Sequence, residues 1–118
     1  MRHNYKNLKI WQLGILIAND VSDILLEFPK HERYDLSSQL SRCSVSIPSN
    51  IAEGNSRNSE KDKKRYIEIA LGSAYELETQ VIISINMNFS DNIVLENLVL
   101  KIREEQKLMS SFINKLSE

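Results

Sequence analysis

Between Leu8 and Phe28, apolar residues recur at Ile10, Leu13, Ile17, Val21, Ile24 and Phe28, a three-and-four spacing that lines one face of an α-helix. A second set, Trp11, Ile15, Ala18 and Leu25, lies about 100° around the same wheel, more apolar surface than one neighbouring helix needs. Pro29 disfavours helical geometry at the residue before it, so Lys30 to Arg33 read as a charged connection.

A second helix is predicted from Asp35 or Ser37, either of which has a side chain able to cap first-turn amides. Its apolar stripe is Leu36, Leu40, Cys43, Ile47 and Ile51. A polar stripe of Gln39, Arg42, Ser46, Asn50 and Glu53 runs beside it at the same spacing. Both stripes keep one phase through Pro48, which predicts one kinked helix, although an interior proline leaves the Ser44 carbonyl without its amide partner. Gly54 or Asn55 is the expected left-handed cap, and Asn55 to Ser59 the loop.

Ser59 caps a third helix, with Glu60 and Asp62 in its first turn, running to about Phe89. Its expected main seam is Tyr66, Ile69, Ala70, Leu77 and Val81, flanked by Ile67, Leu71, Ala74, Ile82 and Ile85. After a turn marked by Asn86, Asn88, Ser90, Asp91 and Asn92, a last helix carries Leu95, Leu98, Ile102, Met109, Ile113 and Leu116, interrupted by Gln106. Four such helices with short loops predict an all-α, antiparallel up-down-up-down four-helix bundle. The surplus apolar stripes point to a homo-oligomer or to a diagonal helix of the same bundle.

Composition narrows the class. The 118 residues form one domain, 1–118, with 42% hydrophobic and 26% charged positions, which excludes disorder and a membrane protein. Three Gly and two Pro are too few for the turns of a many-stranded sandwich or barrel. The net charge of −1 provides no whole-chain attraction to nucleic acid or anionic lipid. One cysteine excludes an internal disulfide and fits a reducing compartment, with the cytoplasm as the expected location.

Little in the chain carries chemistry. His3 and His31 lie at a terminus and in a loop without ligand spacing, so no metal is expected, and no cofactor. Cys43 sits on an apolar stripe, the place of a packed thiol. There is no dinucleotide-binding or phosphate-binding glycine loop and no nucleophile elbow, so the chain reads as no enzyme. For the polar stripe three readings stand: pairing across a helix or subunit contact with Glu68, Tyr75 or Glu76; a binding groove; or a catalytic pair of Glu53 with Glu68 or Glu76, which Glu53→Gln would have to abolish. Charge is locally uneven. Arg2, Lys6 and Lys9 precede any acid, and Arg57, Lys61, Lys63, Lys64 and Arg65 outnumber Glu60 and Asp62. In an up-down bundle the two clusters share one end, a candidate surface for phosphates with Tyr5 for stacking, or simply a solvated charged end.

The run Phe28-Pro29-Lys30-His31-Glu32-Arg33-Tyr34-Asp35-Leu36-Ser37-Ser38-Gln39-Leu40-Ser41-Arg42, continued by Ser46-Ile47-Pro48-Ser49-Asn50-Ile51-Ala52-Glu53-Gly54, resembles the signature of the 23S rRNA intervening-sequence-encoded protein family, commonly labelled four helix bundle protein. Tyr66-Ile67-Glu68-Ile69-Ala70-Leu71-Gly72-Ser73-Ala74-Tyr75-Glu76-Leu77-Glu78-Thr79 resembles its second block, and Trp11 its N-terminal Trp. The resemblance implies a homopentameric ring of bacterial four-helix bundles, related to accessory proteins of diversity-generating retroelements, and no enzyme. It also implies that Gln39, Arg42, Asn50, Glu53, Gly54, Gly72 and Glu76 serve bundle and ring construction. The expectation is thus a homo-oligomer with weak RNA or DNA binding at its basic end; the alternative is a ring that docks another protein.

Overall fold

A computed structural model of the chain describes residues 4–30 and 35–116. The described residues form a 3-10 turn, Tyr5–Asn7, and four helices, α1 (Lys9–Leu25), α2 (Leu36–Asn55), α3 (Glu60–Asn86) and α4 (Asn92–Leu116), with no strand among them. Each helix packs on the next and α4 returns to α1, closing a four-helix bundle of 44 × 21 × 20 Å around one core.

Local chemistry explains most helix ends. Ser59 Oγ accepts the Asp62 amide at 3.1 Å, as its cap position predicts. Asp91 Oδ1 does the same for α4, accepting from Ile93 at 2.8 Å and Val94 at 3.3 Å. α3 stops earlier than Phe89 because Asn88 takes a left-handed turn at φ 56°. The Asn88 amide then reaches the Ile85 carbonyl and the Phe89 amide the Ser84 carbonyl, each at 3.1 Å, the paired bonds of a Schellman ending. α1 likewise stops at Leu25, short of Phe28, in keeping with the restriction Pro29 places on its predecessor. Phe28 still reaches the core from the turn, its ring 5.5 Å from that of Phe89.

Three expectations are corrected. Neither Asp35 nor Ser37 caps α2: Asp35 sits at the cap with a backbone outside cap geometry, and Ser37 is buried one residue into the helix with its hydroxyl unpartnered. Gly54 and Asn55 are not left-handed; α2 runs through both and ends at Ser56, whose hydroxyl donates to the Glu53 carbonyl at 2.7 Å. Gly54 is required by close approach, because a Cβ there would stand 2.7 Å from Tyr66 Cβ and 3.3 Å from the Lys63 carbonyl. The seam of α3 is rotated: Ile67, Ala70, Ala74, Leu77 and Val81 face the core, whereas Ile69 and Ile82 face outward and Tyr66 is half-buried. Both stripes are apolar, so periodicity alone does not rank them; the positions of α2 and α4 do.

α2 continues through Pro48 as one helix, with Leu40, Cys43, Ile47 and Ile51 buried. On α4, Gln106 is buried and donates to Glu78 at 2.8 Å and to the Ala74 carbonyl at 3.4 Å. Burial raises the Glu78 carboxyl pKa, but the bonds from Gln106 and Arg103 and the Arg103 charge outweigh this and hold it below its ordinary value. The adjacent Glu105 was not anticipated. It is fully buried, neither carboxyl oxygen has a partner, and Oε2 lies 3.2 Å from where a Cβ on Gly14 would be. Pro48 Cβ is 3.4 Å from the same point, so Gly14 makes room where α1, α2 and α4 converge.

Gly54→Ala therefore overpacks α2 against α3 and lowers stability by about 1–3 kcal/mol, read from urea midpoints. Burial, with the Glu104 charge adding, pushes the Glu105 carboxyl up to about 8. The folded chain holds that proton more tightly than the unfolded chain, so this group's contribution is fully present below the ordinary carboxylate range. It is lost as pH rises toward about 8, at up to about 1.4 kcal/mol per pH unit. Glu105→Gln removes this decline, so its advantage over the wild type widens between weakly acidic and weakly alkaline buffer. A constant gap would mean that the carboxyl is not held neutral.

Candidate functional site

The polar stripe of α2 faces α3, and the residues it meets there divide it into parts. At its middle, Asn50 Nδ2 donates to the Ser46 carbonyl at 2.8 Å and to Ser46 Oγ at 2.9 Å, and Ser46 and Ser73 share a hydroxyl bond of 2.9 Å across the two helices. Toward the end of α2, Glu53 pairs with Arg57, which also bonds the Tyr66 hydroxyl at 3.0 Å and lies over its ring at 4.9 Å. Tyr66 in turn stands against Gly54. This half of the stripe is structural: it fastens α2 to α3 and turns the chain between them.

The other half stays open. Gln39, Arg42, Cys43 and Ser46 of α2, with Ser73, Glu76 and Gln80 of α3, line a cleft of about 360 Å³. Cys43 is buried, and its thiol donates to the Ser73 carbonyl at 3.2 Å and to Glu76 Oε1 at 3.3 Å. Burial first, then the hydrogen bond to Glu76 and its charge, push the thiol up to about 12. A thiol held protonated is a poor nucleophile. Arg42 and Gln39 stand exposed at the mouth. Gln80 is 7% exposed and its Oε1 has no donor. Gln80 was absent from the sequence-derived set, since a lone Gln among apolar positions gives no periodic signal.

The structure does not bring all the candidate residues together. Glu76 joins the cleft, but Glu68 does not line it, and Tyr75 lies instead in a hollow with α4 residues Gln106, Lys107 and Ser110. Glu53 is ten residues along α2 from Cys43, the partner of Glu76, roughly 15 Å of helix rise, so Glu53 and Glu76 form no catalytic pair. Gly72 is exposed, and a Cβ there would meet nothing within 4 Å.

Of the basic residues, Arg2 lies outside the described residues, as do His3 and His31. The turn carrying Lys6 packs on α1 and α2, with Tyr5 in a groove beside Trp11, Ser49 and Ala52, placing Lys6 and Lys9 near the end of α2. Arg57 is engaged by Glu53, and Lys63 approaches Glu60 at 3.8 Å. Lys61, Lys64 and Arg65 form no ion pair with any described residue. Among the described residues no group of His, Cys, Asp and Glu is arranged to hold a metal ion, and no helix is long and apolar enough to cross a membrane.

Because two of the three causes of the raised Cys43 pKa lie in Glu76, Glu76→Gln increases the rate of thiol alkylation at alkaline pH while leaving Cys43 slower than an unfolded control. Equal rates in the variant and wild type would assign the shift to burial alone.

Comparison with known proteins agrees with this architecture. No curated protein matches the chain. A crystal structure from Bacteroides thetaiotaomicron, of a protein with unknown function from the S23 ribosomal protein family, is similar at a TM-score of 0.80 and 23% identity, over 88% of this chain and 97% of that one. The profile described as 23S rRNA-intervening sequence protein matches residues 6–111, across all four helices. A match of that extent, on the signature carried by α2 and α3, makes the chain a member of the 23S rRNA-intervening sequence protein family.

Proposed function

We propose that the protein is a non-enzymatic scaffold: an up-down-up-down bundle that assembles into a homo-oligomeric, pentameric ring and binds RNA or DNA weakly through its basic end, in the bacterial cytoplasm. The observation that carries the assembly is the outer face of α3. Ile69 and Tyr75 are 44% and 52% exposed, Ile82 and Ile83 join them, and Gly72 lies in their midst. Glycine in a helix interior costs roughly 0.5–1 kcal/mol relative to alanine. Nothing in its own chain crowds Gly72, so its lack of a side chain fits close approach by another molecule. Exposed Leu16 of α1 and Val45 of α2 lie on other faces, and two unlike faces suit the head-to-tail contacts of a ring.

Charge distribution supports the second part. Lys61, Lys64 and Arg65 lie in the first turns of α3, which follows the end of α2 against which the turn carrying Lys6 packs. Asp23, Glu27 and Asp91 gather instead around a groove between the C-terminal part of α1 and the start of α4. The net charge of −1 therefore conceals a polarised molecule, and a ring would repeat its basic end. An adaptor ring that docks a protein is the second reading, favoured by the same exposed α3 face if it stays open in the assembly.

Light scattering should give a mass near five times 13.6 kDa, and Gly72→Glu should reduce it to a single chain with unchanged helix content. A wild-type monomer would remove the ring. Electrophoretic shift of structured RNA and of DNA should weaken steeply between about 50 and 200 mM salt, and fail when Lys61, Lys64 and Arg65 are reversed to Glu. A ring that shifts neither would leave the adaptor reading.

A further inference from the structure

We infer that a second copy of this chain docks on the groove between α1 and α2 with one row of its α3, Glu68, Tyr75 and Ile82, running parallel to α1. Resting on the assembly proposed above, this pairing names the two faces that meet in it. Trp11, Ile15 and Ala18 of α1 and Val45, Pro48 and Ala52 of α2 line the groove, which holds about 290 Å³. Tyr5 joins them, its ring 5.4 Å from that of Trp11, and apart from its hydroxyl and Ser49 the lining is apolar. Val45 on the α2 wall is 53% exposed, and a contiguous apolar surface of this kind marks a contact with another molecule.

On α3 the exposed residues fall into two rows of heptad spacing, Glu68, Tyr75 and Ile82, and beside it Ile69, Glu76 and Ile83. A heptad advances about 10 Å and drifts only about 20° around the helix, so each row is nearly straight. Gly72 and Thr79 lie between the rows, and Gly72 leaves open space where the α3 backbone can approach a neighbour. Charge selects the row and its direction. Lys6 and Lys9 stand exposed beside the Tyr5 and Trp11 end of the groove, neither in an ion pair with any described residue, and no residue lining the groove is charged. Glu68 opens the first row, likewise without an ion-pair partner among the described residues. The second row carries its charge at its middle, in Glu76, which would lie against an apolar wall. With Glu68 at the lysines, Tyr75 and Ile82 lie along the apolar walls and the α3 of the copy runs parallel to α1. Trp11 and Ala18 are also seven residues apart, the spacing of Glu68 and Tyr75. In the up-down bundle proposed above, α3 runs in the same sense as α1, and rotation about an axis along the bundle preserves that sense. The direction set by charge is thus the one a ring requires.

Light scattering of full-length Val45→Glu and Gly72→Glu, alone and mixed, tests the pairing. Both positions are exposed, so each variant keeps its helices, checked by circular dichroism. Where the wild type assembles, each variant alone should run as a single chain. Their equimolar mixture should form a dimer of twice that mass. The groove of Gly72→Glu and the row of Val45→Glu are both intact, whereas the reciprocal contact sets two added carboxylates together. Glu68→Lys should weaken assembly by about threefold or more at low salt, and Lys6→Glu with Lys9→Glu in the same chain should restore it. A wild-type monomer would remove the assembly and this pairing with it. An assembled wild type whose Val45→Glu variant stays assembled would leave the assembly standing and overturn the pairing. A mixture that stays monomeric, or a loss in Glu68→Lys that the reversed lysines do not repair, would overturn it as well.

Discussion

Gly54 lets the backbones of α2 and α3 approach until an added Cβ would stand 2.7 Å from Tyr66 Cβ, and that approach fixes how the remaining length of the pair meets. It brings Tyr66 under Arg57, which Glu53 holds from the preceding turn. Farther along, the same register sets Ser46 against Ser73 and Cys43 against Glu76. With the helices wider apart these polar pairs would be lost, and the polar stripe of α2 would be an ordinary solvated face.

The centre of the bundle follows a different rule. Gly14, Pro48 and Glu105 converge from three helices in a space with no polar partner for the carboxyl. Glycine removes bulk, proline removes an amide donor, and the carboxyl stays protonated because a charge there would lose its hydration without compensation. Each of the three is costly in its own helix. No titratable residue lies between Lys9 and Asp20 on α1 or between Cys43 and Glu53 on α2, and the acids of α3 at this level, Glu76 and Glu78, are bonded to Cys43 and to Arg103 and Gln106. Glu105 therefore has only the Glu104 charge acting on it.

Outside, the molecule presents unlike surfaces. The outer face of α3 sets exposed Ile69, Tyr75, Ile82 and Ile83 beside Glu68, Gly72 and Glu76, and Asp23, Glu27 and Asp91 line a groove between α1 and α4. Where such surfaces meet a partner, apolar burial gives association its strength, while charge decides orientation and which partner is tolerated.

Periodicity and capping chemistry determined the number of helices, most of their ends, the passage of α2 through Pro48, and the apolar faces of α1, α2 and α4, because these depend on contacts within three or four residues. The family signature was legible for the same reason. Tertiary structure decided what local pattern leaves degenerate: which of two apolar stripes on α3 turns inward, that Gly54 serves approach and not a left-handed turn, and which half of the polar stripe is fastened. It alone revealed Gln80 and Glu105. A single polar residue among apolar ones has no period, and its burial and lack of a partner are properties of the helices that close around it.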